Sequence, residues 1–334
     1  MLVDPFQRRI HYLRLSVTDR CNIRCHYCMP FDPASLRSLL PGAGNSDMLT
    51  FEEIARLVEI LAGLGIRKVR LTGGEPLIRH GLESLVGRLR SIAGLDELSL
   101  TTNGILLKRL AGPLRDAGLD RINIHLDTLS PERFSRITRL GDVGAVLKGI
   151  EAARTAGFTR LKLNAVLQRG INDGDVEDLL RFAADGRMIL RLIEMMPLGP
   201  GRDLTPSLFI SGGEVRERLA RRWTLTPSQV TLGSGPAVYY HVKELDTEVG
   251  FITPISQPFC DRCNRVRITS DGRFQDCLAY DGRLSLRDLL RNPQLTDVQM
   301  EREIERMLYG KRKSHDGFSQ SAAVATPCMN GIGG

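Results

Sequence analysis

Between residues 13 and 194 the chain alternates short apolar strand patterns with longer helical ones six times, and that rhythm leaves few folds open. The strand candidates are 13–17, 66–71, 97–102, 121–126, 160–167 and 188–194. After the first, Thr50-Phe-Glu-Glu53 reads as a capping box, and Ile54, Leu57, Val58 and Leu61 recur at helical spacing until Gly63 and Gly65 stop the pattern. Leu82, Leu85, Val86 and Leu89 mark a second helix, with others expected over 105–117, 131–139, 142–156 and 173–184. Strands that alternate with helices pair in parallel through right-handed crossovers. The chain is therefore α/β, with a doubly wound sheet or a full or partial barrel.

Strand parity separates a dry interior from a wet one. With Leu13, Leu15 and Val17 on the helix-covered face, Arg14 and Ser16 fall on the other. The same test turns Lys68 and Arg70, Ser99 and Thr101, Asn123 and His125, and Lys162 and Asn164 away from their apolar neighbours. A closed eight-stranded barrel fills that space with branched apolar side chains. Each unpaired buried ion costs several kcal/mol against a folding stability of about 5–15 kcal/mol, so this face lines a ligand-holding channel. Its Arg and Lys content suits an anion. Parity at 188–194 is ambiguous, because Arg191 and Glu194 fall on opposite faces.

The chain also carries two cysteine triplets. Cys21, Cys25 and Cys28 directly follow the first strand candidate. Thiolates so spaced can converge on one soft metal centre, and an iron–sulfur cluster is the centre that most often takes several from one short loop. Three ligands leave one iron of a four-iron cluster free for a non-protein ligand. The spacing i, i+4, i+7 is also the stripe of a buried helix, but Asp19, Arg20, Asn22, Arg24 and His26 give it no apolar support. A thioredoxin-like pair at Cys25 and Cys28 does not explain Cys21. Downstream, Cys260, Cys263 and Cys277 suit zinc or a second cluster about equally by spacing. No fourth cysteine or histidine sits near Cys277, which tilts the choice toward a cluster with an open position; Cys328 could in principle supply a fourth ligand but reads first as a free thiol in the tail.

Composition sets outer bounds. At 334 residues, with 42% hydrophobic and 25% charged residues, the chain reads as an ordinary globular protein. No apolar run approaches a membrane span and the N-terminus lacks a signal-peptide layout, so the expected compartment is the cytoplasm. Cysteines in odd groups suit metal ligation in a reducing cell better than disulfides. The net charge of +7 favours anionic ligands, either nucleic acid or a phosphorylated small molecule. A Pro/Gly/Ser-rich connector is expected over 31–49, and the strand–helix rhythm breaks after Pro197-Leu-Gly-Pro-Gly201. This divides the chain into 1–205, 206–320 and a polar tail, 321–334. The second part is expected to hold a helix near 214–222, strands near 237–243, 247–253, 264–269 and 273–278, and helices near 283–291 and 296–308.

Cys21-x3-Cys25-x2-Cys28 with Tyr27 inside it, and Gly73-Gly-Glu-Pro76 at a later strand end, resemble the radical S-adenosylmethionine superfamily. The second triplet, the Cys263-Asn-Arg-Val-Arg267 run and the terminal Gly333-Gly334 resemble, within it, the branch that cyclises GTP at the start of molybdenum cofactor biosynthesis. The match covers nearly the whole chain. It implies a partial (β/α)6 TIM-like barrel whose side is closed by a smaller C-terminal α+β region. It also implies two [4Fe–4S] clusters, one on each triplet. The first would bind S-adenosylmethionine at its open iron, with Tyr27, Gly74, His125 and Met196 around that cofactor; the family carries a small hydroxyl residue where this chain has His125. The second would hold the guanine of GTP, with Arg14, Arg70, Thr101, Lys162, Arg265, Val266 and Arg267 contacting the nucleotide. Arg265, Arg267, Gly333 and Gly334 take the catalytic positions. No G-x4-G-K-[ST] loop occurs, so the nucleotide would be held without P-loop machinery. The implied partners are a flavodoxin- or ferredoxin-type reductant, a cyclic pyranopterin monophosphate synthase downstream and a second copy of the chain, with no membrane and no nucleic acid. Two other readings compete. A peptide-modifying radical S-adenosylmethionine maturase usually carries more C-terminal cysteines. A zinc-stabilised, basic nucleic-acid-binding protein leaves the polar channel and the three-ligand triplets unexplained.

Overall fold

Six strands form where the rhythm places them: β1 (Tyr12–Ser16), β2 (Lys68–Thr72), β3 (Glu97–Thr102), β4 (Arg121–His125), β5 (Lys162–Leu167) and β6 (Ile189–Glu194). They are hydrogen-bonded in sequence order and all parallel. The structure is a computed structural model and describes residues 1–30, 48–230, 233–280, 282, 284–315 and 329–332. Most of the expected connector, 31–47, lies outside the described residues.

The crossovers are α1 (Phe51–Gly63), α2 (Leu82–Arg90), α3 (Leu107–Asp116), α4 (Pro131–Thr138) with α5 (Val143–Thr155), and α6 (Val176–Asp185). Thr50 and Glu53 close the capping box at the start of α1. Ser130 and Asp142 cap α4 and α5 through their side chains, and Arg139, at φ 62, ends α4. Strand β2 begins two residues later than its apolar pattern. Ile66 N donates to Leu61 O, so that residue still belongs to the helix exit that Gly65 turns at φ 106. The helices cover one face of the sheet. There Leu13, Leu15, Val69, Leu71, Leu100 and Ile122 are fully buried against them.

The later part of the chain extends this sheet at both edges. Beyond β6 lie β9 (Thr247–Ile252), parallel to it, then β8 (Val238–Val242) and β7 (Leu225–Pro227), both antiparallel. Beyond β1 lie β10 (Arg265–Ile268), also parallel, then β11 (Arg273–Gln275) and β12 (Leu284–Ser285). The order β12-β11-β10-β1-β2-β3-β4-β5-β6-β9-β8-β7 describes an open, mostly parallel sheet, a partial barrel and not a closed one. Four helices complete the described residues: α7 (Gly201–Leu208), α8 (Gly212–Ala220), α9 (Leu286–Arg291) and α10 (Asp297–Tyr309), with a last turn, α11 (Met329–Ile332). Helix α7 was not expected, because Pro197-Leu-Gly-Pro-Gly201 read as a break; Pro200 and Gly201 sit at its very start, where a missing N–H and a flexible residue do no harm, and the helix also takes in Pro206. Leu284 and Ser285 pair with β11, and Ser285 then caps α9, so that helix starts later than its apolar pattern.

Candidate active site

The first cysteine triplet lies on the loop that leaves β1 at its C-terminal end. Two neighbours fix that loop through backbone bonds. Arg24 N and His26 N donate to Thr138 O and Ile137 O at the end of α4, at 2.8 and 3.0 Å. On the other side, Gly74 N donates to Thr18 O and Glu75 N to Arg20 O, both at 2.7 Å. A Cβ on Gly74 would stand 2.2 Å from Arg20 O, so this approach requires glycine. Glu75 is buried and accepts from Thr102 Oγ1, Asn103 N and Leu77 N; burial lifts its carboxyl to about 7. Burial, with Glu75 second, lifts the Cys21 thiol to about 11, and burial and the neighbouring Cys28 push Cys25 well up. Thiols so placed are protonated until a metal displaces the protons.

Tyr27, within the triplet, lies 2.7 Å from His125 Nε2 and donates to Asp127 Oδ2 at 2.9 Å. His125 is also 2.9 Å from Asp127 Oδ2. The strand histidine is therefore tied to its neighbours and at the same time faces the cavity. Burial pushes its imidazole down and Asp127 more than offsets this, so it titrates above its ordinary value.

Sheet register assembles a cationic wall between the two triplets. Arg14 on β1 stands beside Arg267 on β10 and Arg70 on β2; Lys162 on β5 is next to Asn123 on β4, and Arg191 on β6 is next to Asn164 on β5. All face a cavity of about 340 Å³, too large to be filled by isolated structural waters. Desolvation, then Arg267, holds Arg14 well below the ordinary arginine range; desolvation, then Arg265, brings Arg267 to about 10. Desolvation, then Arg191, Arg70 and Arg121, brings Lys162 to about 7. Like charges held this close out of water favour a polyanion between them.

The second triplet closes the other side of the cavity. Cys260 begins a short 3-10 turn in which Cys263 N donates to Cys260 O at 3.0 Å, and Cys263 Sγ lies 4.0 Å from Arg265 O. Burial pushes the Cys263 thiol up, but Lys311 and Arg265 outweigh it and the thiol sits below its usual value; burial leaves Cys277 above. All six cysteines of the triplets are free and face the one cavity. Among the described residues no three His, Cys, Asp or Glu side chains converge closely enough to hold a single metal ion. Two sets of three soft thiols around a roomy cavity suit multinuclear iron–sulfur clusters.

Of the residues singled out from sequence, Tyr27, Gly74, His125, Met196, Arg14, Arg70, Thr101, Lys162, Arg265 and Arg267 line this cavity with the cysteines. Val266 does not: on β10 its side chain points to the opposite face and is fully buried in the apolar core. Gly333, Gly334 and Cys328 lie outside the described residues, although Met329, four positions before Gly333, lines the cavity. Parity left Arg191 unresolved. It faces the cavity, and Gly250 opposite it leaves room for Tyr239, whose ring a Cβ there would meet at 2.7 Å. Glu194, at the strand end, is taken up by Gly212 N, Ile255 N and Ser256 N. A strand of six residues with one arginine at its third position carries that signal only once its register is known.

Comparison with known proteins agrees with this geometry. The family model "Radical SAM superfamily" matches residues 15–183 and "Molybdenum Cofactor Synthesis C" matches residues 188–317. A GTP 3′,8-cyclase of Moorella thermoacetica is 45% identical over 288 residues, 86% of this chain and 87% of that protein. A Pseudomonas entomophila GTP 3′,8-cyclase is 46% identical over 94% of this chain and 92% of its own length, and Pseudomonas aeruginosa GTP 3′,8-cyclase 2 is 42% identical over 100% and 98%. Among solved structures, Streptococcus suis SuiB bound to precursor peptide SuiA superposes with a TM-score of 0.63 over 92% of this chain and 68% of that one. At 13% identity that likeness concerns the fold alone.

Proposed function

The chain belongs to the radical SAM superfamily and, within it, to the GTP 3′,8-cyclases, and from that premise we propose how its residues divide the work. It is a radical S-adenosylmethionine lyase with [4Fe–4S] clusters, and it catalyses the first step of molybdenum cofactor biosynthesis, GTP to (8S)-3′,8-cyclo-7,8-dihydroguanosine 5′-triphosphate. Cys21, Cys25 and Cys28 hold the first cluster, and Cys260, Cys263 and Cys277 the second. The first cluster, held by Cys21, Cys25 and Cys28, would supply when bound the electron for reductive cleavage of S-adenosylmethionine, the radical source for hydrogen abstraction at C3′ of the ribose.

The protein's own residues position and shield. The Gly73-Gly74 turn, pressed against Thr18 and Arg20, presents backbone rather than side chain to S-adenosylmethionine, beside Tyr27, His125 and Met196. Tyr27, with its hydroxyl bonded to Asp127, is held in one orientation against that cofactor. Arg14, Arg70, Thr101 and Lys162 receive the triphosphate, since guanidinium forks and an ammonium suit phosphate oxygens. Arg191 joins this set on register alone. Arg265 and Arg267, one strand from Arg14, keep ribose and base in line between the two clusters. Gly333 and Gly334 belong to the same catalytic set, and the approach of Met329 to the cavity supports that reading.

No helix among the described residues is long and apolar enough to cross a membrane, and cysteines in free triplets fit a reducing cytoplasm. The electron comes from a flavodoxin- or ferredoxin-type protein, the product passes to a cyclic pyranopterin monophosphate synthase, and a homodimer is the expected assembly.

The observation that carries this reading is that both triplets open on one cavity whose intervening wall is arginine-lined. Arg265→Ala tests it. The variant should bind GTP at least about tenfold more weakly, roughly 1.4 kcal/mol, while still cleaving S-adenosylmethionine in the absence of cyclisation. Lost cleavage with intact GTP affinity would reverse the assignment.

A further inference from the structure

Lys311 is a buried cation with no role in the reading above. It follows the C-terminus of α10, its N–H bonded to Leu308 O, and only 4% of the residue is exposed. Its Nζ donates to Arg265 O at 3.5 Å and to Asp276 O. The first of these oxygens is the one that Cys263 Sγ also approaches, and the second belongs to the residue before Cys277. The described partners of this ammonium are thus two backbone carbonyls that frame the second triplet.

The segment is clamped in place. Arg8 is buried and ion-paired through Nε to the fully buried Asp4. Its Nη1 donates to Cys260 O and Lys313 O, each at 2.7 Å, and its Nη2 to Arg312 O at 2.6 Å. One guanidinium therefore ties the first ligand of the second triplet to the two residues after Lys311. The first triplet lies in a mixed setting, next to the buried side chains of Glu75 and Asp127 and to Arg24, whose Nη1 donates to Cys21 O.

A buried ammonium bonded only to carbonyls needs an anion nearby. A four-iron core of charge two plus on three thiolates is net negative, and one-electron reduction makes it more so. We propose that Lys311 is the built-in counter-ion of the second cluster, held beside Cys263 and Cys277 by the Arg8 clamp, and that it raises that cluster's reduction potential above the value it would otherwise have. A nearby fixed positive charge stabilises the reduced, more negative form. The inference rests on the two-cluster reading.

The test uses anaerobically reconstituted full-length wild type, K311M and K311R, titrated with dithionite and mediators and followed by electron paramagnetic resonance. The second cluster is the signal that added GTP alters. K311M should shift that signal to lower potential, K311R should stay near wild type, and the first cluster's signal should not move. Loss of second-cluster iron in K311M but not in K311R also supports a need for the charge. Equal potentials in all three proteins, or loss of that iron in both variants, overturns the proposal. Wild type holding iron for one cluster only would instead defeat the two-cluster reading, which separates the two failures.

Discussion

Among single residues, Lys162 shows most clearly what the cationic wall is for. Burial, followed by Arg191, Arg70 and Arg121, lowers it from an ordinary 10.5 to about 7. In the folded protein without an anion the neutral amine is therefore preferred above about pH 7. The penalty for its charge is complete below about pH 7, where it is protonated in both states, and fades as pH rises from 7 toward 10.5. A triphosphate bound beside Lys162, as proposed, would reverse the preference and lift the pKa. At about pH 8, where Lys162 is mostly neutral in the absence of the nucleotide, GTP binding should draw in up to about one proton more in wild type than in Lys162→Met; at about pH 6 the difference should vanish. Calorimetry in two buffers of different ionisation enthalpy measures this, and identical uptake by both proteins at pH 8 would remove Lys162 from the phosphate site. His125 makes a different point at the same scale. It faces the cavity, as a residue of the cofactor site would, and is at the same time tied to Tyr27 and Asp127.

Among elements, the decisive one is the turn after β2. Gly74 lets the Gly-Gly-Glu-Pro turn lie against Arg20, so the cysteine loop is braced by backbone on both sides. Gly74→Ala puts a methyl where only rigid backbone lies, and should destabilise the fold by about 1–3 kcal/mol. It should also displace the loop, so that the reconstituted variant retains about half of the wild-type iron, the second cluster's share. Full iron content with unchanged S-adenosylmethionine affinity would contradict this. The strands and crossover helices of the barrel were legible because apolar residues recur at periods near 2 and 3.6, and Thr50 to Glu53 announced α1 by its cap. What escaped notice had no such signal. Helix α7 hides behind prolines, β7 and β12 are too short to show a period, and Arg191 needed a register that only pairing supplies.

At the scale of the whole molecule, two chemistries share one open sheet. Strands β1 to β6 place polar side chains on the concave face, and the C-terminal region, by adding β10 beside β1, brings Arg265, Arg267 and the second triplet to the same cavity. The sequence announced that face by parity and both triplets by spacing. It could not announce that β10 neighbours β1, because Arg14 and its register partner Arg267 are 253 positions apart, a contact that only tertiary pairing creates. The same long-range closure puts Arg8 and Lys311 around the second triplet, where neither position stands out in the sequence. The most direct test of the account follows hydrogen. Incubated anaerobically with S-adenosylmethionine and a reductant, GTP deuterated at C3′ should pass its label to 5′-deoxyadenosine. The triphosphate product should keep the elemental make-up of GTP, because the hydrogen atom lost from C3′ is replaced by an electron and a proton. S-adenosylmethionine cleaved to unlabelled 5′-deoxyadenosine, with GTP recovered intact, would contradict it.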